Sequence, residues 1–139
     1  MELVVAAILT FAVDQAGKRF VLKRFAKGQV SSSALLVRIR RITNPNMGFG
    51  FIRNRHILLA LWVLLVLSTV LVIYSGRFFV SHVARLGLGL ALGGATGNLW
   101  DVMRRQGVVD FIDLRFWPVF NLADVAIVLG AASALWFAW

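Results

Sequence analysis

Two short segments of this 139-residue chain repeat one polar spacing inside apolar surroundings: Gly97-Asn-Leu-Trp-Asp101 and Phe120-Asn-Leu-Ala-Asp124. Each sets an asparagine three residues before an aspartate, which on a helix puts both on one face. The amide can donate to a carboxylate or to a substrate carbonyl. Two such faces meeting would bring Asn98, Asp101, Asn121 and Asp124 into one polar site. Between them runs Val-Val-Asp-Phe-Ile-Asp, which adds Asp110 and Asp113. Neighbouring carboxylates cannot both ionise easily, so such a pair tends to share a proton. One member can then serve as base toward water and the other as acid toward a leaving group. The structural alternative is that these aspartates cap helix ends or pair with Lys18, Arg104 or Arg105. The other two acidic residues of the six are Asp14 and the N-terminal Glu2.

The surroundings that must position these groups are hydrocarbon-like. Hydrophobic residues make up 60% of the chain and charged ones 15%, too few to coat a soluble globule of this size. An ionised carboxylate in a membrane interior persists mainly where it is paired, hydrated or functional. Apolar runs approach bilayer length, and residues 57–76 carry no charge at all. The pattern predicts a single all-α membrane domain over 1–139, with four transmembrane helices near 3–24, 57–76, 84–102 and 116–139. The first segment carries Glu2, Asp14 and then basic residues, which suits a retained helix better than a cleaved signal peptide.

Loop 26–56 begins with Gly- and Ser-rich turns, and 34–42 alternates loosely, so a short extended or β-like segment is expected there. Asn44 to Phe51 reads as a turn followed by an apolar tip, and 102–115 as a polar loop. Gly89, Gly93 and Gly97 form a small-residue stripe for close helix packing within the chain. The tryptophans fall mostly near helix ends, where indole suits the membrane interface, and His56 and His82 stand at helix starts with no second ligand at metal spacing. The chain has no cysteine, which excludes disulfides and thiolate chemistry. Ten of its fifteen basic residues lie between Lys18 and Arg55, and a basic loop flanked by membrane helices points to anionic membrane lipids. With no nucleic-acid motif beside it, nucleic acid is not an expected partner.

The run "LGGATGNLWD…GVVDFID…FNLADVAI" resembles lipoprotein signal peptidase, signal peptidase II. So do "VDQAGK", with Asp14, Gln15 and Lys18 at the family's Asp-Gln-x-x-Lys, and "NMGFGF", with Asn46, Gly48 and Phe51 at its Asn-x-Gly-x-x-Phe. The four blocks occur in family order. The resemblance implies a four-helix intramembrane aspartyl endopeptidase of the bacterial cytoplasmic (inner) membrane, multi-pass, without metal or cofactor. Its substrates would be diacylglyceryl-modified prolipoproteins, cut before the lipidated cysteine. It implies Asp110 and Asp124 as the catalytic pair, and Asp14, Lys18, Asn46, Gly48, Gly94, Asn98, Asp101 and Asn121 as supporting or substrate-binding positions. A single chain supplies every block, so a monomer is expected.

Val102 follows Asp101 where the family pattern has arginine, so any ion pair to Asp101 is rebuilt from Arg104 or Arg105 or is absent. The family orientation puts both termini in the cytoplasm and the aspartates near the outer face. The basic loop by itself favours the inverse, because short basic loops normally stay inside. The family orientation is expected to prevail, since the site must meet a translocated substrate. Two other readings compete: a non-cleaving relative that binds lipoprotein precursors or assists assembly, and a small conductor of protons or cations that uses the aspartates as relays.

Overall fold

The computed structural model describes residues 1–31, 36–45 and 54–138. Asn46, Gly48 and the apolar tip expected through Phe51 lie outside them. The element order is α1 (Glu2–Arg24), β1 (Arg38–Asn44), α2 (Arg55–Tyr74), α3 (His82–Arg105), β2 (Val108–Asp113) and α4 (Leu122–Trp136). The fold is mostly helical with one small antiparallel sheet.

Helix α3 is the spine, and its glycines decide what it touches. A β-carbon at Gly89 or Gly93 would collide with the Leu3 or Ala7 carbonyl of α1. One at Gly94 would come within 2.5 Å of the Ala123 carbonyl of α4, and one at Gly87 within 2.6 Å of the Gly130 carbonyl. The expected stripe therefore packs inside the chain against α1, and a second glycine row, Gly87 and Gly94, receives α4. Such close backbone approach gains van der Waals contact where burial from water cannot drive association. Helix α2 lies against α3, with the Trp62 indole donating to Thr96 Oγ1 at 3.2 Å.

The pattern of exposure is inverted relative to a water-soluble bundle. Fully buried side chains include Lys18, Asn121, Asp14 and Asp101, whereas Ile8, Leu64, Leu71, Val128 and Leu135 are exposed. By length and composition α2 is the one helix among the described residues suited to crossing a membrane; α4 is apolar but has only 15 residues. Helices α1 and α3 carry the buried charges, and that dilutes their hydropathy.

Three boundaries differ from expectation. Helix α4 begins at Leu122 instead of 116, because Phe120 pairs with Ile112 in an isolated bridge and Asn121 then caps the helix. Helix α3 runs on to Arg105 and ends where Gln106 adopts a left-handed conformation, φ 58°. The segment expected to be loop, 108–113, is a strand, which pairs with the β1 segment anticipated in loop 26–56. The register shifts between Ile39 and Ile42, so Arg40 and Arg41 together oppose Phe111. Such a bulge re-aims side chains. Arg41 reaches the Leu22 and Phe25 carbonyls at 3.3 and 2.7 Å, closing the C-terminus of α1. Arg38 meets Asp113 at 2.8 Å, so Asp113 joins the strands.

The α3–α4 contact gives a direct test. A β-carbon at Gly130 would lie 2.5 Å from the Gly87 carbonyl oxygen and 2.6 Å from the Ala91 nitrogen. Gly130→Val is expected to cost about 1–3 kcal/mol by overpacking, read as a lowered unfolding temperature in detergent micelles. Val128→Ala, at an exposed position of the same helix, should leave that temperature nearly unchanged.

Candidate active site

The site is built outward from Lys18. Asp14 and Lys18 stand one turn apart on α1 and pair at 2.8 Å, with neither side chain accessible to solvent. The same ammonium reaches Asp101 of α3 at 2.9 Å and Asn98 Oδ1 at 2.9 Å. Each carboxylate then ties in another element. Asp14 Oδ1 accepts from the Ala123 backbone N–H at the start of α4, at 3.0 Å. Asp101 Oδ2 accepts from the Val109 N–H of β2, at 3.2 Å. Burying charges is tolerable only with this degree of pairing and hydrogen bonding.

Asp101 has a second cation. Arg105, one turn further along α3, binds its Oδ1 and also donates to Gln15 Oε1 at 3.3 Å. Gln15 in turn donates to Asp14, to Asp101 and to the Gly97 carbonyl. The arginine expected from Arg104 or Arg105 is therefore Arg105. Arg104 instead lies over the Trp100 ring, 4.9 Å from its centre.

Asn98 passes the network on. Its amide N–H donates to Asp124 Oδ1 at 2.8 Å. Asn121 donates to Asn98 Oδ1 at 3.1 Å and to Asp110 Oδ1 at 2.8 Å. Both asparagines thus serve the aspartates directly. The two Asn-x-x-Asp segments do different work despite equal spacing. Asn98 and Asp101 lie within the last turns of α3 and share Lys18. Asn121 and Asp124 form a capping box at the start of α4: Asn121 Oδ1 accepts from the Asp124 N–H at 2.9 Å, and Asp124 Oδ2 from the Asn121 N–H at 3.2 Å.

Asp110 comes from β2, held beside Asn121 because Phe120 pairs back onto Ile112. Burial and then the nearby Asp124 carboxylate push its pKa up to about 7, against the opposing pull of Asn121, Lys18 and Asn44. Asp113 is held in the opposite direction, below the usual carboxylate range, by the Arg115 backbone N–H and by Arg38.

The structure thus gathers Asp14, Lys18, Asn98, Asp101, Asp110, Asn121 and Asp124 of the expected set. Gly94 faces the α4 backbone and is a packing position, and Asn46 and Gly48 are outside the described residues. Gln15 and Asn44 join the network without having been singled out as site positions. Gln15 adjoins Asp14 within the first block, and Asn44 lies two residues before Asn46. Beside Asp124 a cleft of about 350 Å³ opens between α4 and the preceding segment, walled by Leu114, Phe116, Trp117, Phe120, Val125 and Val128. An apolar cleft bordered by one carboxylate suits a ligand that is mostly hydrocarbon.

A family profile described as signal peptidase (SPase) II matches residues 6–139. The chain is 36% identical over 137 residues to the lipoprotein signal peptidase of Moorella thermoacetica, covering 98% of this chain and 91% of that one. It is 38% identical over 137 residues to that of Pelotomaculum thermopropionicum, covering 98% and 90%. A solved structure described as a bacterial membrane enzyme superposes with a TM-score of 0.81 at 19% identity, covering 96% of this chain and 84% of that one, a likeness of fold. With matches that extend over nearly all of its length, the chain belongs to the signal peptidase II family.

Proposed function

We propose that this chain is an intramembrane aspartyl endopeptidase that removes signal peptides from diacylglyceryl-modified bacterial prolipoproteins, cutting before the lipidated cysteine. The observation that carries the reading is the Asn98–Asn121 bridge, which ties Asp110 and Asp124 into one buried network with unequal surroundings. Asp124 accepts from the Asn98 amide and the Asn121 backbone N–H in the first turn of α4, where the helix dipole also favours an anion. It is the base. Asp110, its pKa pushed up to about 7, holds its proton below that pH and is the acid. Water gives a proton to Asp124 as its oxygen adds to the scissile carbonyl carbon. The tetrahedral intermediate then collapses, the C–N bond breaks, and Asp110 protonates the departing amine.

The apolar cleft beside Asp124 supports a lipidated substrate, delivered from within the bilayer. The same reasoning makes all four helices membrane spans in the bacterial inner membrane, with the polar groups of α1 and α3 turned inward. In this proposal the sheet and both aspartates lie toward the outer face of the membrane. The basic loop fits that orientation because Arg38 and Arg41 are engaged in ion pairing and helix capping, which reduces the free positive charge it presents.

Asp110→Asn and Asp124→Asn are each expected to lower cleavage of a lipidated prolipoprotein at least about a hundred-fold while the protein stays folded. Full activity in either variant would contradict the assignment. Cleavage by the parent should fall as pH rises through about 7, because Asp110 then loses the proton it must donate. A kcat/KM profile still rising well above that pH would reverse the two roles.

A further inference from the structure

Lys18 has more contacts than charge neutralisation needs. Its carboxylate partners are two, Asp14 and Asp101, and Asp101 already has Arg105. The third ammonium donor goes to Asn98 Oδ1, at 2.9 Å. An ammonium can only donate, so the Asn98 atom that faces it must be the oxygen. That choice turns the Asn98 NH₂ to the opposite side, where it meets Asp124 at 2.8 Å. The same oxygen accepts one N–H of Asn121 at 3.1 Å, and Asn121 then gives its other donor to Asp110 at 2.8 Å. The Asn121 oxygen remains for the Asp124 backbone N–H. Lys18 thus agrees with Asp124 on the polarity of Asn98, and the α4 capping box sets the matching polarity of Asn121.

We propose that Lys18 is a positioning residue for the acid–base pair: by donating to Asn98 Oδ1 it anchors the amide whose N–H meets Asp124 and whose oxygen receives the Asn121 N–H. This rests on the acid–base reading of those aspartates. With an apolar group at position 18, Asn98 keeps its bonds to Asp124 and Asn121 but loses the charge-assisted bond that anchors its oxygen, so the amide is held less firmly against the acid–base pair.

Other charged groups around Asp110 are accounted for. Asp124 faces it from α4, and Asn121 and Asn44 are neutral donors to it. Asp14 of α1 and Asp101 of α3 are bound by Lys18 and directed to the Ala123 and Val109 backbones. From β1, Arg38 and Arg40 are directed to Asp113, and Arg41 to the end of α1. Among the described residues Lys18 is the cation whose charge acts on Asp110, so its removal strengthens the hold of Asp110 on its proton.

The test keeps the buried charge balanced. Lys18→Met/Asp14→Asn removes one charge of each sign, and the new amide oxygen can still accept from Ala123. Asp14→Asn alone provides the reference. The double variant is expected to keep a cooperative unfolding transition while kcat falls about a hundred-fold with KM unchanged. The alkaline limb of its pH profile should move up by about one pH unit. A second reading needs no turnover: the infrared carboxylic-acid band that Asp110→Asn abolishes should titrate at correspondingly higher pH. A parent that binds but never cleaves overturns the peptidase assignment, and the infrared titration still tests Lys18. A folded double variant with the limb and the band where the reference has them overturns the proposal. Lys18→Met/Asp101→Asn carries the same balance, and unfolding of both neutral variants would assign Lys18 to the fold alone and likewise overturn it.

Discussion

A lysine ammonium with no access to solvent constrains everything around it. Removing such a charge from water costs several kcal/mol unless each of its donors finds a well-placed acceptor. Here the three acceptors are Asp14, Asp101 and Asn98, so α1 and α3 must cross where these residues can converge. The crossing is possible because Gly89, Gly93 and Gly97 let α1 sit directly on the α3 backbone. Asp14 then fixes the start of α4, and Asp101 fixes β2. Those are the two elements that deliver Asp124 and Asp110. Scaffold and site are thus one hydrogen-bonded object, and a change at Lys18 is felt at both.

Much of this arrangement could be read from local patterns. The Asn-x-x-Asp spacing named four residues that do meet, and the glycine stripe named the face of α3 that receives α1. The equal spacing also misled, since 121–124 straddles a helix start and its members cap each other. The spacing alone does not separate a mid-run pair from a capping pair until the start of α4 is known. Strand β2 was hidden for a different reason: its partner, β1, lies more than sixty residues away in sequence, and alone it reads as a short apolar run with two charges. The start of α4 depends equally on a non-local contact, the Phe120 bridge to Ile112. Arg105 shows how a neighbouring position can supply a function that a motif places elsewhere. One helical turn separates it from Asp101, so the ion pair survives with Val102 in the usual arginine position.

The inverted distribution of polarity connects fold to function. Apolar side chains cover the outside of the bundle, and the charged network occupies its interior. Loop charge alone argued for a basic segment inside the cell. In the fold, however, Arg38 and Arg41 belong to the architecture, one pairing across the sheet and the other closing a helix end. A residue count cannot separate such arginines from free surface charge. In the proposed orientation the sheet and the end of α3 form the platform on which a lipidated peptide would meet the aspartates, with its apolar part along the α4 cleft.

In the proposed mechanism Asp110 and Asp124 act on water and form no covalent bond to substrate. The most direct test is repeated turnover in H₂¹⁸O, followed by mass spectrometry of both products and of the enzyme. Label is expected in the new C-terminal carboxylate of the released signal peptide, with Asp110 and Asp124 unlabelled. Heavy oxygen in either aspartate would show attack by a carboxylate through an acyl-enzyme and would contradict it.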